Sequence, residues 1–105
     1  ERISAAQGKL VVLDFYADWC ASCKEMERDT FSNATVQAQL KNAVLLQADV
    51  TANNAADKAL LKRYALFGPP ATLFFAAQGV EVSDARVIGY QAAQQFLATL
   101  QKVRP

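Results

Sequence analysis

The sequence predicts an α/β domain, with a central mixed β-sheet of about four strands flanked by helices. Three observations lead there. Short apolar, β-branched runs alternate with helix-forming segments, a Gly-Pro-Pro break is followed by two strand-like segments in succession, and the chain closes on an amphipathic helix. With 105 residues, 52% of them apolar and 20% charged, residues 1–105 suit a single domain. A chain of this length buries roughly 65% of the surface its unfolded form exposes, enough for a core without staples.

Residues 10–16 (Leu-Val-Val-Leu-Asp-Phe-Tyr) have the pattern of a strand covered on both faces, the expected centre of the sheet. Residues 20 to about 29 contain good helix formers and neither Gly nor Pro, and read as a helix. Residues 33–40 suit a second short helical piece. A further buried strand is expected over 43–50, and a helix over 55–64 with Ala59, Leu60 and Tyr64 partly on one face. After Gly68-Pro69-Pro70, residues 71–76 and 82–88 are strand-like and joined through Gln78-Gly79. Residues 91–103 carry Phe96, Leu97, Leu100 and Val103 at helical spacing. The principal order is β-α-β-α-β-β-α.

Rare residues narrow the chemistry more than the average composition does. The chain has no His and only two Cys, Cys20 and Cys23. No Ser-His-Asp or Cys-His nucleophile can be assembled, and a four-ligand zinc or iron–sulfur site would lack half its ligands. Net charge is +1, from 11 basic and 10 acidic residues without a run of like sign, which indicates no nucleic-acid footprint. No stretch approaches the roughly 20 apolar residues that span a bilayer. The opening residues, Glu-Arg-Ile-Ser-Ala-Ala-Gln-Gly, lack the pattern of a signal peptide.

Cys20 falls where the first strand hands over to a helix, the place where open α/β sheets put their chemistry. At helical spacing, residues three apart stand close enough for a disulfide. As a staple that bond is poor, since closing a four-residue loop yields only about 2 kcal/mol in the chain-entropy model. A two-electron switch suits it better. Cys20 at the helix start gains from unpaired N–H groups and the helix dipole, which favour a thiolate, so it is the expected attacking thiol. Cys23, one turn inside, is the expected resolving thiol.

Without His, the candidates for taking the Cys23 proton are carboxylates. Asp14 lies within an apolar strand, where burial raises a carboxyl pKa towards that of a useful base. Glu27 follows Cys23 by four residues and Cys20 by seven, on the same helical face. Both charges also oppose thiolate formation nearby. Blander readings stand beside these: a chance pair or metal half-site for the cysteines, a backbone hydrogen bond for Asp14, an ordinary solvated position for Glu27. Trp19, just before Cys20, is either a core aromatic or a cover over the site.

The run Asp14-Phe15-Tyr16-Ala17-Asp18-Trp19-Cys20-Ala21-Ser22-Cys23-Lys24, followed by Gly68-Pro69-Pro70 and Gly89, resembles thioredoxin over nearly the whole chain from Gly8. More narrowly, Tyr16 to Glu27, Thr30-Phe31-Ser32, Val44 to Asn53 and Leu73-Phe74-Phe75 are similar to the C-terminal periplasmic domain of the DsbD family of disulfide interchange proteins. That resemblance implies a thioredoxin-like fold and a reductant relay on the periplasmic side of the bacterial inner membrane. Such a domain accepts electrons from a transmembrane domain of the same protein and passes them to its N-terminal periplasmic domain, serving disulfide isomerisation and cytochrome c maturation. It implies Cys20 as nucleophile, Cys23 as resolving thiol, and Asp14 and Glu27 as the acids that tune them. Pro70 would be a cis-proline facing the cysteines, and Trp19, Pro69, Pro70 and Gly89 would meet the partner. No cofactor beyond the Cys20/Cys23 disulfide, no metal and no nucleic acid is expected, and the isolated domain should be a monomer.

Three departures from the thioredoxin pattern carry expectations of their own. The usual first strand and most of the first helix are missing, so residues 1–8 read as a helix end and the chain as a domain excised from a larger membrane protein. Gln47 stands where thioredoxins place a lysine near the buried acid, so the Asp14 pKa should be higher than with that cation. Pro69 has no N–H to give a bound partner, so recognition should lean on apolar contact rather than two-way strand pairing. Two alternatives to the relay are a free general thioredoxin and an interaction module with an inert disulfide.

Overall fold

The computed structural model describes residues 9–76 and 79–103. The expected helix end over 1–8 and Gln78 lie outside them. Strands β1 (Val11–Tyr16), β2 (Val44–Asp49), β3 (Ala71–Phe75) and β4 (Val87–Ile88) form one sheet in the order β2-β1-β3-β4. β1 runs parallel to β2 and antiparallel to β3, which pairs antiparallel with β4. The mixed four-stranded sheet is therefore present, with β1 inside it.

Helices α1 (Ala21–Met26), α2 (Ala34–Gln39), α3 (Ala55–Arg63) and α4 (Ala93–Lys102) flank the sheet. Local chemistry explains two of their starts. The Asn33 carboxamide oxygen accepts from the Thr35 and Val36 N–H groups at 2.9 and 3.1 Å. Asn54 and Asp57 form a reciprocal capping box at the start of α3.

The expected helix over 20–29 is not uniform. α1 passes without a break into a π-helical turn at Glu27–Phe31. Two successive side chains there have tertiary partners: the Thr30 hydroxyl donates to the Gln91 carbonyl at 2.5 Å, and Phe31 meets Phe96 edge-on at 5.2 Å. Contacts on neighbouring residues favour a wider turn than α geometry supplies, and helix propensity does not register them.

The strand expected over 82–88 is likewise interrupted. A bridge joins Phe75 to Glu81, a 3-10 turn covers Ser83–Ala85, and only Val87–Ile88 resumes the ladder. Ser83 and Asp84 favour turns, and Ala85 is buried where the chain bends. Arg86 secures the bend, donating to the Glu81 carboxylate at 2.5 and 3.0 Å and to the Tyr64 carbonyl at 2.7 Å. β2 also departs from expectation. Instead of being covered on both faces, it alternates half-buried Val44, Leu46 and Ala48 with exposed Leu45, Gln47 and Asp49. Among the described residues it forms one edge of the sheet, and β4 the other.

Alternation along β1 splits the core into two layers. Val11, Leu13 and Phe15 pack with Val50, Leu61, Leu73, Phe75 and both cysteines. Val12 faces the other way, towards Met26, Val36, Phe74, Phe96 and Leu100. Phe96 is fully buried and contacts the rings of Phe31 and Phe74. Phe96→Ala should cost about 3 to 5 kcal/mol in urea unfolding, whereas the exposed neighbour Gln94→Ala should stay within roughly 0.5 kcal/mol.

Candidate redox site

β1 delivers the site. After Tyr16 the chain turns through buried Ala17, whose carbonyl accepts the Cys20 N–H at 3.1 Å. Cys20 has extended backbone angles and caps α1, its sulfur accepting the Cys23 N–H at 3.1 Å. The two cysteines are joined in a disulfide with their Cα atoms 5.3 Å apart. Only 6% of Cys20 and 4% of Cys23 is exposed.

The sulfurs stand in opposite electrostatic settings. The Cys20 sulfur has a backbone donor and the positive end of a helix, both of which favour negative charge there. The Cys23 sulfur lies 3.9 Å from the Phe15 carbonyl oxygen, which favours a protonated thiol. The backbone donor on the Cys20 sulfur comes from α1, and the carbonyl beside the Cys23 sulfur from β1.

Asp14 is half-buried, and alternation points it towards the layer of Val12 rather than that of the cysteines. It stands opposite Gln47 on β2 and Thr72 on β3. Burial pushes its pKa up to about 7 from 3.8; the Glu27 charge adds to this, while a hydrogen bond with the Gln47 side chain offsets part of it. The residue paired with Asp14 across β1 and β2 is therefore a neutral amide rather than a cation. Asp14 and Glu27 line one groove of about 440 Å³, together with Gln47, Phe31 and Leu45. Neither cysteine lines it. Glu27 itself is exposed, and its N–H still bonds the Cys23 carbonyl, so the four-residue spacing survives where the helix changes type.

Trp19 is 58% exposed, so the core alternative falls away. Its indole N–H donates to the Thr51 carbonyl at 2.9 Å. The Pro69–Pro70 peptide is cis. Gly89 adopts φ +91°, a conformation that favours glycine, and its N–H donates to the Pro70 carbonyl at 3.0 Å. Thr51, which also accepts the Asp18 N–H at 2.9 Å on its hydroxyl, is a contributor that sequence reasoning passed over. The available signal was local: an Asp-x-Thr step at the end of β2.

A family model described as a thioredoxin-like domain matches residues 2–104. The C-terminal domain of DsbD from Neisseria meningitidis superimposes in its reduced form with a TM-score of 0.83, at 38% identity over 98% of this chain and 88% of that one. The chain belongs to the thioredoxin-like family, among the DsbD C-terminal domains. The oxidised form of the Neisseria domain matches with a TM-score of 0.79 at 40% identity, covering 91% of this chain and 81% of that one. The thiol:disulfide interchange protein DsbD of Ralstonia nicotianae is 60% identical over 101 residues, which are 96% of this chain and 16% of that protein. The DsbD-type domain described here thus spans about a sixth of the length of that curated relative. Among its described residues, no helix is long and apolar enough to cross a membrane, and no group of three or more His, Cys, Asp or Glu is placed to hold a metal ion.

The Asp14 pKa has a consequence for stability. An acid whose folded pKa exceeds its unfolded value binds extra protons in the fold, so stability falls as pH rises between the two. Here the window runs from about 4 to about 7. The Asp14 contribution across it is roughly 4 kcal/mol, from about three pKa units. In urea unfolding of the oxidised domain, Asp14→Asn should therefore gain stability over the native chain as pH rises through this window. A constant difference between the two from pH 4 to 8 would count against the raised pKa.

Proposed function

We propose that this domain is a dithiol–disulfide oxidoreductase serving as a reductant relay within a DsbD protein. It takes electrons from a membrane-embedded domain and passes them to the N-terminal periplasmic domain, for use in disulfide isomerisation and cytochrome c maturation. The observation that carries the reading is the Cys20–Cys23 disulfide at the start of α1, with the Cys23 N–H on the Cys20 sulfur. Likeness to DsbD C-terminal domains supplies the context.

In the outgoing step the Cys20 thiolate attacks one sulfur of the partner's disulfide, forming a mixed disulfide and releasing the partner's other sulfur as thiolate. Cys23 then loses its proton and attacks the Cys20 sulfur. The Cys20–Cys23 disulfide closes, the partner leaves as a dithiol, and two electrons have moved to it. Reduction of the domain by the membrane partner's dithiol is the reverse sequence. Asp14, titrating near neutrality, receives the Cys23 proton, and Glu27 keeps the Asp14 pKa up by its charge.

Partner contact falls to the surface around Cys20. Pro69 and Pro70 have no N–H, and that of Gly89 is engaged by Pro70, so these residues offer a partner strand little to pair with. Trp19, directly before Cys20 and exposed, offers apolar contact instead.

Cys20→Ser should abolish transfer, while Cys23→Ser should accumulate a mixed disulfide with the oxidised N-terminal domain, seen on non-reducing gels; trapping through Cys23 would reverse the roles. A reduction potential well below those of periplasmic oxidants fits the relay. Efficient turnover by thioredoxin reductase would favour a free thioredoxin, and failure of both thiols to alkylate after mild reduction would favour an inert module. For the acids, thiol titration should give a lower Cys20 pKa in Asp14→Asn and Glu27→Gln, since each removes a negative charge near the sulfurs. Superimposable curves would remove both from the mechanism.

A further inference from the structure

Four hydrogen bonds converge on Thr51, one residue beyond buried Val50, whose N–H is held by the Tyr16 carbonyl at 2.8 Å. The Thr51 N–H donates to Asp49 Oδ1 at 2.9 Å, and its hydroxyl donates to the same oxygen. That hydroxyl oxygen accepts the Asp18 N–H at 2.9 Å, and the Thr51 carbonyl accepts the Trp19 indole N–H at 2.9 Å. One residue of the loop after β2 therefore holds two successive residues of the loop that leads into Cys20.

We propose that Thr51 is a positioning residue for disulfide exchange, fixing residues 18–19 so that Trp19 and the Cys20 sulfur meet a partner protein in one geometry. The inference rests on the exchange reading above and assigns a residue that reading does not use.

The hydroxyl can do this because its two roles are separated. The Asp49 carboxylate only accepts when ionised, and the two Thr51 donors hold its pKa below the usual carboxylate range. The hydroxyl proton therefore points to Asp49, leaving a lone pair for the Asp18 N–H. On its other side the Asp18 carboxylate accepts from the Tyr16 hydroxyl at 3.1 Å, so the loop is gripped from both flanking strands. The next backbone bond along, from the Cys20 N–H to the Ala17 carbonyl, closes the turn that presents the sulfur. Trp19 is more than half exposed and cannot be held by burial; its place depends on this bond and on the loop beneath it.

The test compares Thr51→Val, which keeps the shape and loses the hydroxyl, with Thr51→Ser, which keeps the hydroxyl. Single-turnover reduction is followed with two oxidants, the oxidised N-terminal domain of a DsbD protein and a small aromatic disulfide. Thr51→Val should slow the protein reaction about fivefold, the scale of one lost hydrogen bond, while the small disulfide reacts within about twofold of the native rate. The Trp19 indole N–H resonance should shift in Thr51→Val, and Thr51→Ser should restore both rate and resonance. Asp49→Ala, which removes the acceptor that orients the hydroxyl, should reproduce the Thr51→Val pattern and provides a second route should that variant fold poorly. Native rates with both oxidants, equal slowing with both, or no rescue by serine would overturn the proposal. A native domain inert to both oxidants would instead overturn the exchange reading, and this inference with it.

Discussion

Everything at the redox site hangs on β1 being held along both edges. β2 pairs with it in parallel on one side and β3 antiparallel on the other, while its two faces enter two separate core layers. A strand so constrained has little freedom at its carboxyl end. The turn through Ala17, the extended backbone of Cys20 and the start of α1 inherit that rigidity, which a nucleophile needs if it is to meet a second sulfur in line. The Phe15 carbonyl beside the Cys23 sulfur belongs to the same strand, so one element both places the pair and sets an acceptor next to one of its sulfurs.

In a chain without histidine, the reading proposed above gives the carboxylates unusual weight. Asp14 becomes a neutral-range acid through burial, aided by Glu27 and restrained by Gln47. It approaches from the layer opposite the one that holds the sulfurs and lines a groove the cysteines do not share. The raised-pKa acid and the disulfide thus belong to different layers on either side of β1. The cost falls on stability, because an acid poised near pH 7 is one the fold would rather keep protonated.

Much of this was legible from local pattern. The apolar run of β1, the helical segments at 33–40 and 55–64 and the Phe96–Leu100 stripe of α4 are short-range signals, and the structure carries all of them. The misreadings share a physical cause. The π turn at Glu27–Phe31 reflects contacts of Thr30 and Phe31 with residues more than sixty positions away. The break before β4 depends on Arg86 reaching Glu81 and Tyr64. Exposure of β2 on alternate residues is set by what lies beside it, because an apolar run reads alike at an edge and in the middle of a sheet.

By itself the sequence determined the α/β order, the cysteine pair at a strand-to-helix junction and the exclusion of histidine chemistry, and it singled out Asp14 and Glu27 as the candidate acids. These depend on residue identity and spacing along one or two elements, which the chain encodes directly. Tertiary structure alone decided that Asp14 and Glu27 share a groove, that the Pro69–Pro70 bond is cis, that Trp19 stands in solvent and that Thr51 holds the loop beneath it. The Thr51 contacts join residues more than thirty positions apart, and the side-chain fates of Asp14 and Trp19 follow from which neighbours exclude water. Such facts exist only once the sheet has closed around β1.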